Sequence, residues 1–336
     1  MVCRQDKVRL SCSVHYTNDV IGNIDGAKRE VNIGITGATG FLGHHLIETF
    51  AAQGHSIVAW SRDPDTVKLK GKAANADITW IRGRLGDQQA SDELARRSDV
   101  LIHAAVFRDG DSFIGSEGDP IEYFDVNVTG SMRLLEAASQ HEVNRFVFIS
   151  SGAVHERVAP DRVLDETHPH WPASIYGAYK SSVESMIHAY GWSGRLDACT
   201  VRPTSIYGVT DPISKSKWFE LVSDVVDGKT VKPTGGGKMV HAHDVAKAAW
   251  LCATTDQNVK GETFNTCDRF ISHYEVATIA KEITGSKSEI EGDPKQAGNP
   301  MNTDKLEGLG FDFGHTKLLR ATIADLIKAI QHSRQH

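Results

Sequence analysis

No stretch of this 336-residue chain approaches the roughly 20 consecutive apolar residues that a membrane-spanning helix needs, so a membrane protein is not expected. Long basic runs are missing as well. The 37 Lys and Arg stand against 43 Asp and Glu, a net charge of −6. A mildly acidic chain of this kind is a poor candidate for binding nucleic acid or an anionic membrane surface. Cysteine is scarce: Cys3, Cys12, Cys199, Cys252 and Cys267 are odd in number and form no C-x-x-C pair. That pattern speaks against a disulfide framework and for reduced thiols in a cytoplasmic protein. Cys199 and Cys252 sit in apolar stretches and read as core residues. There is no internal repeat and no low-complexity segment. Histidine is plentiful, with "HPH" at 168–170 and "HAH" at 241–243, but no acid or cysteine cluster completes a metal site at readable spacing. No metal is expected, and these histidines read as loop and groove residues.

What is present points to a nucleotide-binding α/β protein. The apolar content of 40% over this length supports a large core. Residues 1–30 have no apolar h-region and no small-residue cleavage site, so they read as a poorly ordered extension rather than a signal peptide. From Val31 the pattern becomes regular. Strands are expected at "VNIGITG", "SIVAWS", "DITWIRG", "DVLIHAA", "RFVFISS" and "DACTVRP". Helical spacing appears between them in "FLGHHLIETFAAQG", "QASDELARRS" and "PIEYFDVNVTGSMRLLEAASQHE", the last with a bend near Gly130. β-Branched apolar strands alternating with helices predict a Rossmann-type, doubly wound parallel sheet covered on both faces. After Pro203 the rhythm loosens into helices at about 215–227, 244–254, 273–284 and 316–332. The expected organisation is a dinucleotide-binding domain over 31–204, joined by 241–268 through "ETFNTC". Residues 205–240 and 269–336 form a smaller α/β lid for the substrate.

"GITGATGFLG" places Gly37, Gly40 and Gly43 in G-x-x-G-x-x-G spacing, after a strand and at the start of a helix. In that context Gly37 permits the tight turn, Gly40 the approach of a pyrophosphate, and Gly43 close helix packing. The phosphates would lie at the helix N-terminus, where free N–H groups and the dipole favour anions. An NAD-binding unit usually carries an acid at the end of the second strand, bonded to the ribose 2′-hydroxyl. Here Ser61 stands in that place and Arg62 follows. A guanidinium pairs with a 2′-phosphate through its planar fork, so NADP is favoured, with NAD open.

"SIYGAYKSS" holds two tyrosines and one lysine. Residues four apart share a helix face and adjacent ones do not. Tyr176 therefore pairs with Lys180, and Tyr179 points elsewhere. A phenol with a pKa of about 10 needs a downward shift of about three units, or roughly 4 kcal/mol, to act as a base near neutrality. A lysine ammonium and a positively charged nicotinamide both push in that direction. A second polar group must hold the substrate oxygen, and either Ser150 or Ser151 at the end of strand five is placed for it.

Taken together, "TGATGFLG", "DVLIHAA", "NVTGSMRLLEAA", "FISSGAV", "DETHPHWPASIYGAYKSSVE", "VRPTSIYG" and "VHAHDVAKAA" resemble, in order over residues 31–250, the extended short-chain dehydrogenase/reductases. This is the group that includes NAD-dependent sugar epimerases and dehydratases. The resemblance implies that Tyr176 is the general acid/base and that Lys180 is its partner and a ligand of the nicotinamide ribose. It places Ser151, not Ser150, at the carbonyl-polarising position, and Asn127 as the helix asparagine that helps order the site. The implied cofactor contacts are Gly37, Thr39, Gly40, Phe41, Leu42, Gly43, Ser61, Arg62, Leu85, His103, Ala104, Ala105, Tyr176, Lys180 and Pro203. His241 or His243 would border the cleft, and the helices carrying Asn127 and Tyr176 would form a homodimer interface. Some positions depart from the family pattern. His155-Glu156 replaces a common Tyr-Gly, and Arg84 replaces an aspartate near the adenine. Ser205, Gly237 and Lys238 occupy positions where sugar-nucleotide members often differ.

The implied reaction is hydride transfer between nicotinamide C4 and a carbinol or carbonyl carbon of a small molecule. Arg62 and the altered sugar-nucleotide positions make an NADP(H)-dependent carbonyl reductase the first expectation. A nucleotide-sugar epimerase or dehydratase with retained NAD is the alternative, supported by C-terminal "MNTDKLEGLGF". A non-catalytic dinucleotide sensor is a third reading, opposed by the intact Ser-Tyr-Lys set. The acidic segment "FRDGDSFIGSEGDP" after strand four is expected to be a mobile loop able to cover the substrate.

Overall fold

The computed structural model describes residues 31–110 and 112–334, together with the backbone of a two-residue pair, β1 (Asn23–Ile24) and β2 (Ala27–Lys28). The remainder of the expected 1–30 extension lies outside the described residues, as does Asp111 in the acidic loop.

The larger unit begins with β3 (Asn32–Thr36), α1 (Phe41–Ala51), β4 (Ser56–Ser61) and β5 (Ile78–Arg82). It continues through α2 (Gln88–Arg96), β6 (Val100–His103), α3 (Pro120–Phe124) and α4 (Gly130–Gln140). Then follow β7 (Arg145–Ile149), α5 (Ile175–Trp192) and β8 (Ala198–Pro203). These strands, with β11 (Thr263–Thr266), form one seven-stranded sheet in the order β11-β8-β7-β6-β3-β4-β5. Every pairing in it is parallel. Strands β3, β6, β7 and β8 are nearly continuous in burial because helices cover both faces. On one face α1 and α7 (Ala242–Thr254) close over Ile33, Ile35, Ile102, Val147 and Val201. On the other, α2, α4 and α5 close over Leu101, Phe146 and Phe148. Side chains such as Ile33 and Ile35 are fully enclosed, each stabilising the fold by roughly 1.5–3 kcal/mol relative to exposure.

The helix read across 120–140 is interrupted. Residues Asp125–Thr129 form a π-turn between α3 and α4, so the irregularity falls next to Gly130, where a bend was expected. Such bulges widen a helix locally and are frequent at functional sites. This one carries Asn127.

A smaller unit combines β9 (Ser205–Tyr207), α6 (Phe219–Val226), β10 (Gly236–His241), β12 (Arg269–Ser272), α8 (His273–Thr284) and α10 (His315–Ser333); α9 (Asp304–Glu307), expected within the lid, packs instead on β11, with Leu306 in the core of the large sheet. The smaller unit's strands form a separate three-stranded sheet, β12-β10-β9, in keeping with the expected α/β character, although the sequence placed none of the three strands. Tyr207, Trp218, Val222, Ile271, Ile323 and Leu326 belong to its own apolar core. The chain leaves the large sheet at Pro203 and enters the small one at Ser205, which sets the lid against the C-terminal edge of the parallel strands.

Candidate active site

The glycine loop joins β3 to α1. Gly37 has φ +74°, and a Cβ there would stand 2.8 Å from the backbone carbon of Ala104. Gly43 is packed tighter still: its Cβ would lie 2.2 Å from the carbonyl oxygen of Gly37. Between them Thr39 and Gly40 are exposed. No side chain caps α1, so its first N–H groups remain open to an anion. These features fit a dinucleotide pyrophosphate. Phe41 turns its ring edge-on to His45 at 5.5 Å, and Leu42 packs on the core below.

At the end of β4, Ser61 is buried and its Oγ accepts the Asp63 N–H at 3.1 Å. Arg62 is exposed. Arg82, at the end of β5, donates to the Arg62 carbonyl and pairs with both Asp63 and Asp65. Two acids thus engage Arg82, while Arg84 is exposed like Arg62. Leu85 is buried against the α4 side of the sheet.

His103 does not line the groove. It is fully buried, with Nδ1 2.7 Å from Thr36 Oγ1 and Nε2 2.8 Å from Ser131 Oγ. Burial first, and the Lys180 charge second, push its pKa down to about 3, so the imidazole is neutral. The half-buried Ala104 and Ala105 lie beyond it, their N–H groups donating to Thr36 Oγ1. Asn127 likewise offers nothing to a substrate. Its amide accepts from Phe107 N and donates to the carbonyls of Phe107 and Tyr123. These bonds tie it to the start of the loop after β6.

Strand β7 and helix α5 meet through three consecutive residues at the end of the strand. Lys180 Nζ donates to Ile149 O at 2.7 Å. Ser150 Oγ donates to the Glu184 carboxylate. Ser151 stands beside Tyr176 and lowers its pKa, and its Oγ caps the short turn that follows by accepting from Ala153 N. The period of the strand separates the two serines: one faces the helix interior and the other the tyrosine. Tyr176, 8% exposed, and Lys180, 1% exposed, share one face of α5. Lys180 Nζ lies 5.9 Å from the centre of the Tyr176 ring. Tyr179 is enclosed, edge-on to Tyr123 at 5.9 Å, yet Lys180 Nζ also lies 4.8 Å from its ring. Adjacency on the helix does not keep them apart, because the long lysine stem bends over both rings.

Burial lowers the Lys180 pKa to about 7, and the Glu184 charge opposes that shift. Burial raises the Tyr176 pKa; Ser151 and the charge of Arg108 pull it back. The expected downward shift of the phenol is therefore not a property of the protein alone. Arg108 and Phe113 were not anticipated. Arg108 stands 4.3 Å over the Phe113 ring, which packs 5.4 Å from the Tyr176 ring. The acidic loop thus presents an aromatic side chain to the tyrosine.

His168 and His170 spend their ring nitrogens on Ala159, Pro169, Ser181 and Arg202. His241 accepts the His243 N–H at the start of α7 and stacks edge-on to Tyr207 at 5.1 Å. Among the described residues no group of three His, Cys, Asp or Glu is placed to hold a metal ion. Pro203 ends β8, and its carbonyl lies 3.6 Å from where a Cβ on Gly152 would stand. Two residues on, Ser205 Oγ accepts from Lys217 Nζ at 2.6 Å. Lys217 lines a cleft of about 440 Å³ in the lid with Trp218 and His273. Among the described residues no helix is long and apolar enough to cross a membrane.

Residues 33–267 match the sequence model of the NAD dependent epimerase/dehydratase family. A UDP-glucose 4-epimerase of Corynebacterium glutamicum is 28% identical over 310 residues, covering 84% of this chain and 91% of the relative. A 4-hydroxy-2-methyl-3-oxo-4-farnesyl-3,4-dihydroquinoline-1-oxide ketoreductase of Stigmatella aurantiaca is 27% identical, covering 78% of this chain and 76% of the relative. The crystal structure of the Thermus thermophilus UDP-glucose 4-epimerase in complex with NAD superposes with a TM-score of 0.70 at 25% identity, over 88% of this chain and 98% of that one.

Proposed function

The chain belongs to the NAD-dependent epimerase/dehydratase family, and from that premise we propose that it is an epimerase or dehydratase acting on a nucleotide sugar with retained NAD. The observation that carries this reading is the extent of the likeness to UDP-glucose 4-epimerases, which reaches beyond the family match at 33–267 into the lid that receives substrate. It displaces NADP(H)-dependent carbonyl reduction as the first choice. Ser205 had counted against a nucleotide sugar. Held by Lys217 at 2.6 Å, it instead brings an ammonium to the lid cleft, where a diphosphate needs one.

The Gly37–Gly43 loop, the N-terminus of α1 and Lys180 would hold NAD, which when bound would supply hydride uptake and return. The chain's own part is proton transfer and orientation. Tyr176 takes and returns the substrate hydroxyl proton, and Ser151 holds the same oxygen from the end of β7. The Lys180 ammonium favours the phenolate, and the nicotinamide charge adds to that effect. Asn127 and His103 act through their neighbours by fixing the loop after β6 and the end of β3. The enclosed thiols Cys199, Cys252 and Cys267 fit a reducing, cytoplasmic location. Trp192 at the end of α5 is 67% exposed, which fits a homodimer that uses this helix.

A second reading, NADP(H)-dependent ketone reduction, is favoured by the exposed Arg62 and Arg84 and by the ketoreductase relative. Denaturing the purified protein and identifying the released dinucleotide by mass spectrometry separates the two. Near-stoichiometric NAD supports the retained-cofactor reading. Empty protein with a preference for NADP(H) that Arg62→Ala abolishes supports the reductase.

A further inference from the structure

Behind Ser150 lies a buried ionic network that the reaction described above does not use. Glu184 and Arg202 are both 0% exposed. Arg202 Nε donates to Glu184 Oε1 at 3.1 Å, and Nη2 donates to Oε2 at 2.6 Å. Its remaining N–H groups are also taken. Nη1 reaches His155 Nε2 at 2.9 Å and Asn265 Oδ1 at 3.1 Å, and Nη2 reaches His170 Nε2 at 2.9 Å. All five donors of the guanidinium therefore have acceptors.

This arrangement dictates the state of both histidines. Arg202 has only donors, so each Nε2 must accept and each ring proton must sit on Nδ1. Pro169 O lies 3.2 Å from His155 Nδ1, and Ser181 Oγ lies 2.9 Å from His170 Nδ1, ready to accept those protons. Two neutral imidazoles thus grip the outer edge of the fork, leaving its inner edge to hold Glu184.

Glu184 is one helical turn beyond Lys180, on the same buried face of α5. The two are tied to successive residues at the end of β7, Lys180 to Ile149 O and Glu184 to Ser150 Oγ. A lysine this deeply buried loses its charge unless an anion offsets the desolvation. The groups facing Lys180 are His103 from β6, the Phe148 ring from β7, Tyr176 and Tyr179 on its own helix, and Glu184. Only Glu184 among these is an anion. Facing Glu184 itself are Arg202 from β8, His170, Ser150 and, from β11, Thr263 Oγ1 at 3.4 Å.

We propose that Glu184 is a positioning residue for the reaction, holding Lys180 as an ammonium beneath Tyr176, and that Arg202, His155 and His170 lock its carboxylate in place. Glu184 touches neither substrate nor cofactor; it acts through Lys180. The inference rests on the roles proposed above for Tyr176 and Lys180.

The test is the protonation midpoint of Lys180, read by NMR on protein with lysine side chains isotopically labelled at Cε, the signal assigned by its loss in Lys180→Arg. In Glu184→Gln the midpoint falls by about one pH unit or more, the effect of removing an adjacent opposite charge. Ser150→Ala, which keeps the carboxylate, leaves it in place. Should Glu184→Gln fail to fold, combining it with Arg202→Gln removes the guanidinium that would otherwise be left unpaired, and the midpoint is then compared with that of Arg202→Gln alone, so that only the carboxylate differs. An unchanged midpoint in a folded variant lacking the carboxylate overturns the proposal. Because no substrate is needed, a mistaken nucleotide-sugar assignment shows up as lost turnover with the Lys180 shift intact.

Discussion

Replacing each tyrosine of "SIYGAYK" by phenylalanine should produce two very different enzymes. Tyr176 stands beside Ser151, shares a face with Lys180 and keeps 8% of its surface open. Tyr179 is fully enclosed against Tyr123. On the proposed roles, Tyr176→Phe removes the group that would exchange a proton with substrate. General acid–base catalysis of this kind contributes about 10²–10⁴ in rate, equivalent to roughly 3–5 kcal/mol of barrier. The ring remains to pack against Phe113, so stability should change by no more than about 1 kcal/mol, as for one net hydrogen bond, and dinucleotide affinity should stay within a few-fold. Tyr179→Phe keeps the enclosed ring and should retain most activity. The assay is turnover of a nucleotide hexose under saturating substrate, alongside a thermal melt and a pH difference spectrum for phenolate in the NAD complex. The phenolate signal near neutrality should vanish in Tyr176→Phe alone. Equal losses of turnover from the two variants, or a phenolate signal that survives Tyr176→Phe, would refute the assignment.

Three further outcomes are expected. Gly43→Ala forces a Cβ to within 2.2 Å of Gly37 O, so the loop must shift; calorimetry should show at least tenfold weaker dinucleotide binding, whereas Gly298→Ala, with open space around it, should bind normally. Stability should fall as pH drops below about 6.5. His103, His155 and His241 have folded pKa values lowered to about 3 by burial, so the unfolded chain binds their protons first and the contribution present above 6.5 is lost toward 3. A melting temperature flat from pH 7 to pH 5 would contradict that. Arg62→Ala should leave NAD affinity within about threefold, since the exposed guanidinium has no 2′-phosphate to hold in NAD; a much larger loss of NAD binding would show that Arg62 contacts the common part of the dinucleotide.

The parallel sheet was legible because its strands are short apolar β-branched runs bounded by glycine and polar turns. The lid sheet was not. β10 begins Gly236-Gly237-Lys238, residues that carry no strand preference, and it forms because β9 and β12 flank it. The pairing of Tyr176 with Lys180 followed from helical spacing. That Lys180 also lies over Tyr179 did not, since side-chain bending is invisible to spacing. His103 and Asn127 stood in the right segments, but burial turns them toward Thr36, Ser131 and Phe107 instead of the groove. Glu184 and Arg202 did leave a trace: an acid one turn beyond Lys180, and an arginine inside the apolar strand "ACTVRP". Buried charges need partners, and only the packing of β8 against α5 shows that these two are each other's. The Arg108–Phe113–Tyr176 stack depends on a loop conformation with no local pattern to announce it.

The most direct test of the account is to incubate the purified protein with UDP- and dTDP-hexoses, adding no dinucleotide, and to follow the sugar signals by proton NMR. The account predicts conversion of at least one nucleotide sugar to its epimer or its dehydrated keto product, sustained over many turnovers and absent in Tyr176→Phe. Inertness toward every nucleotide sugar, together with NADPH-dependent reduction of a simple ketone, would contradict it and install the reductase reading in its place.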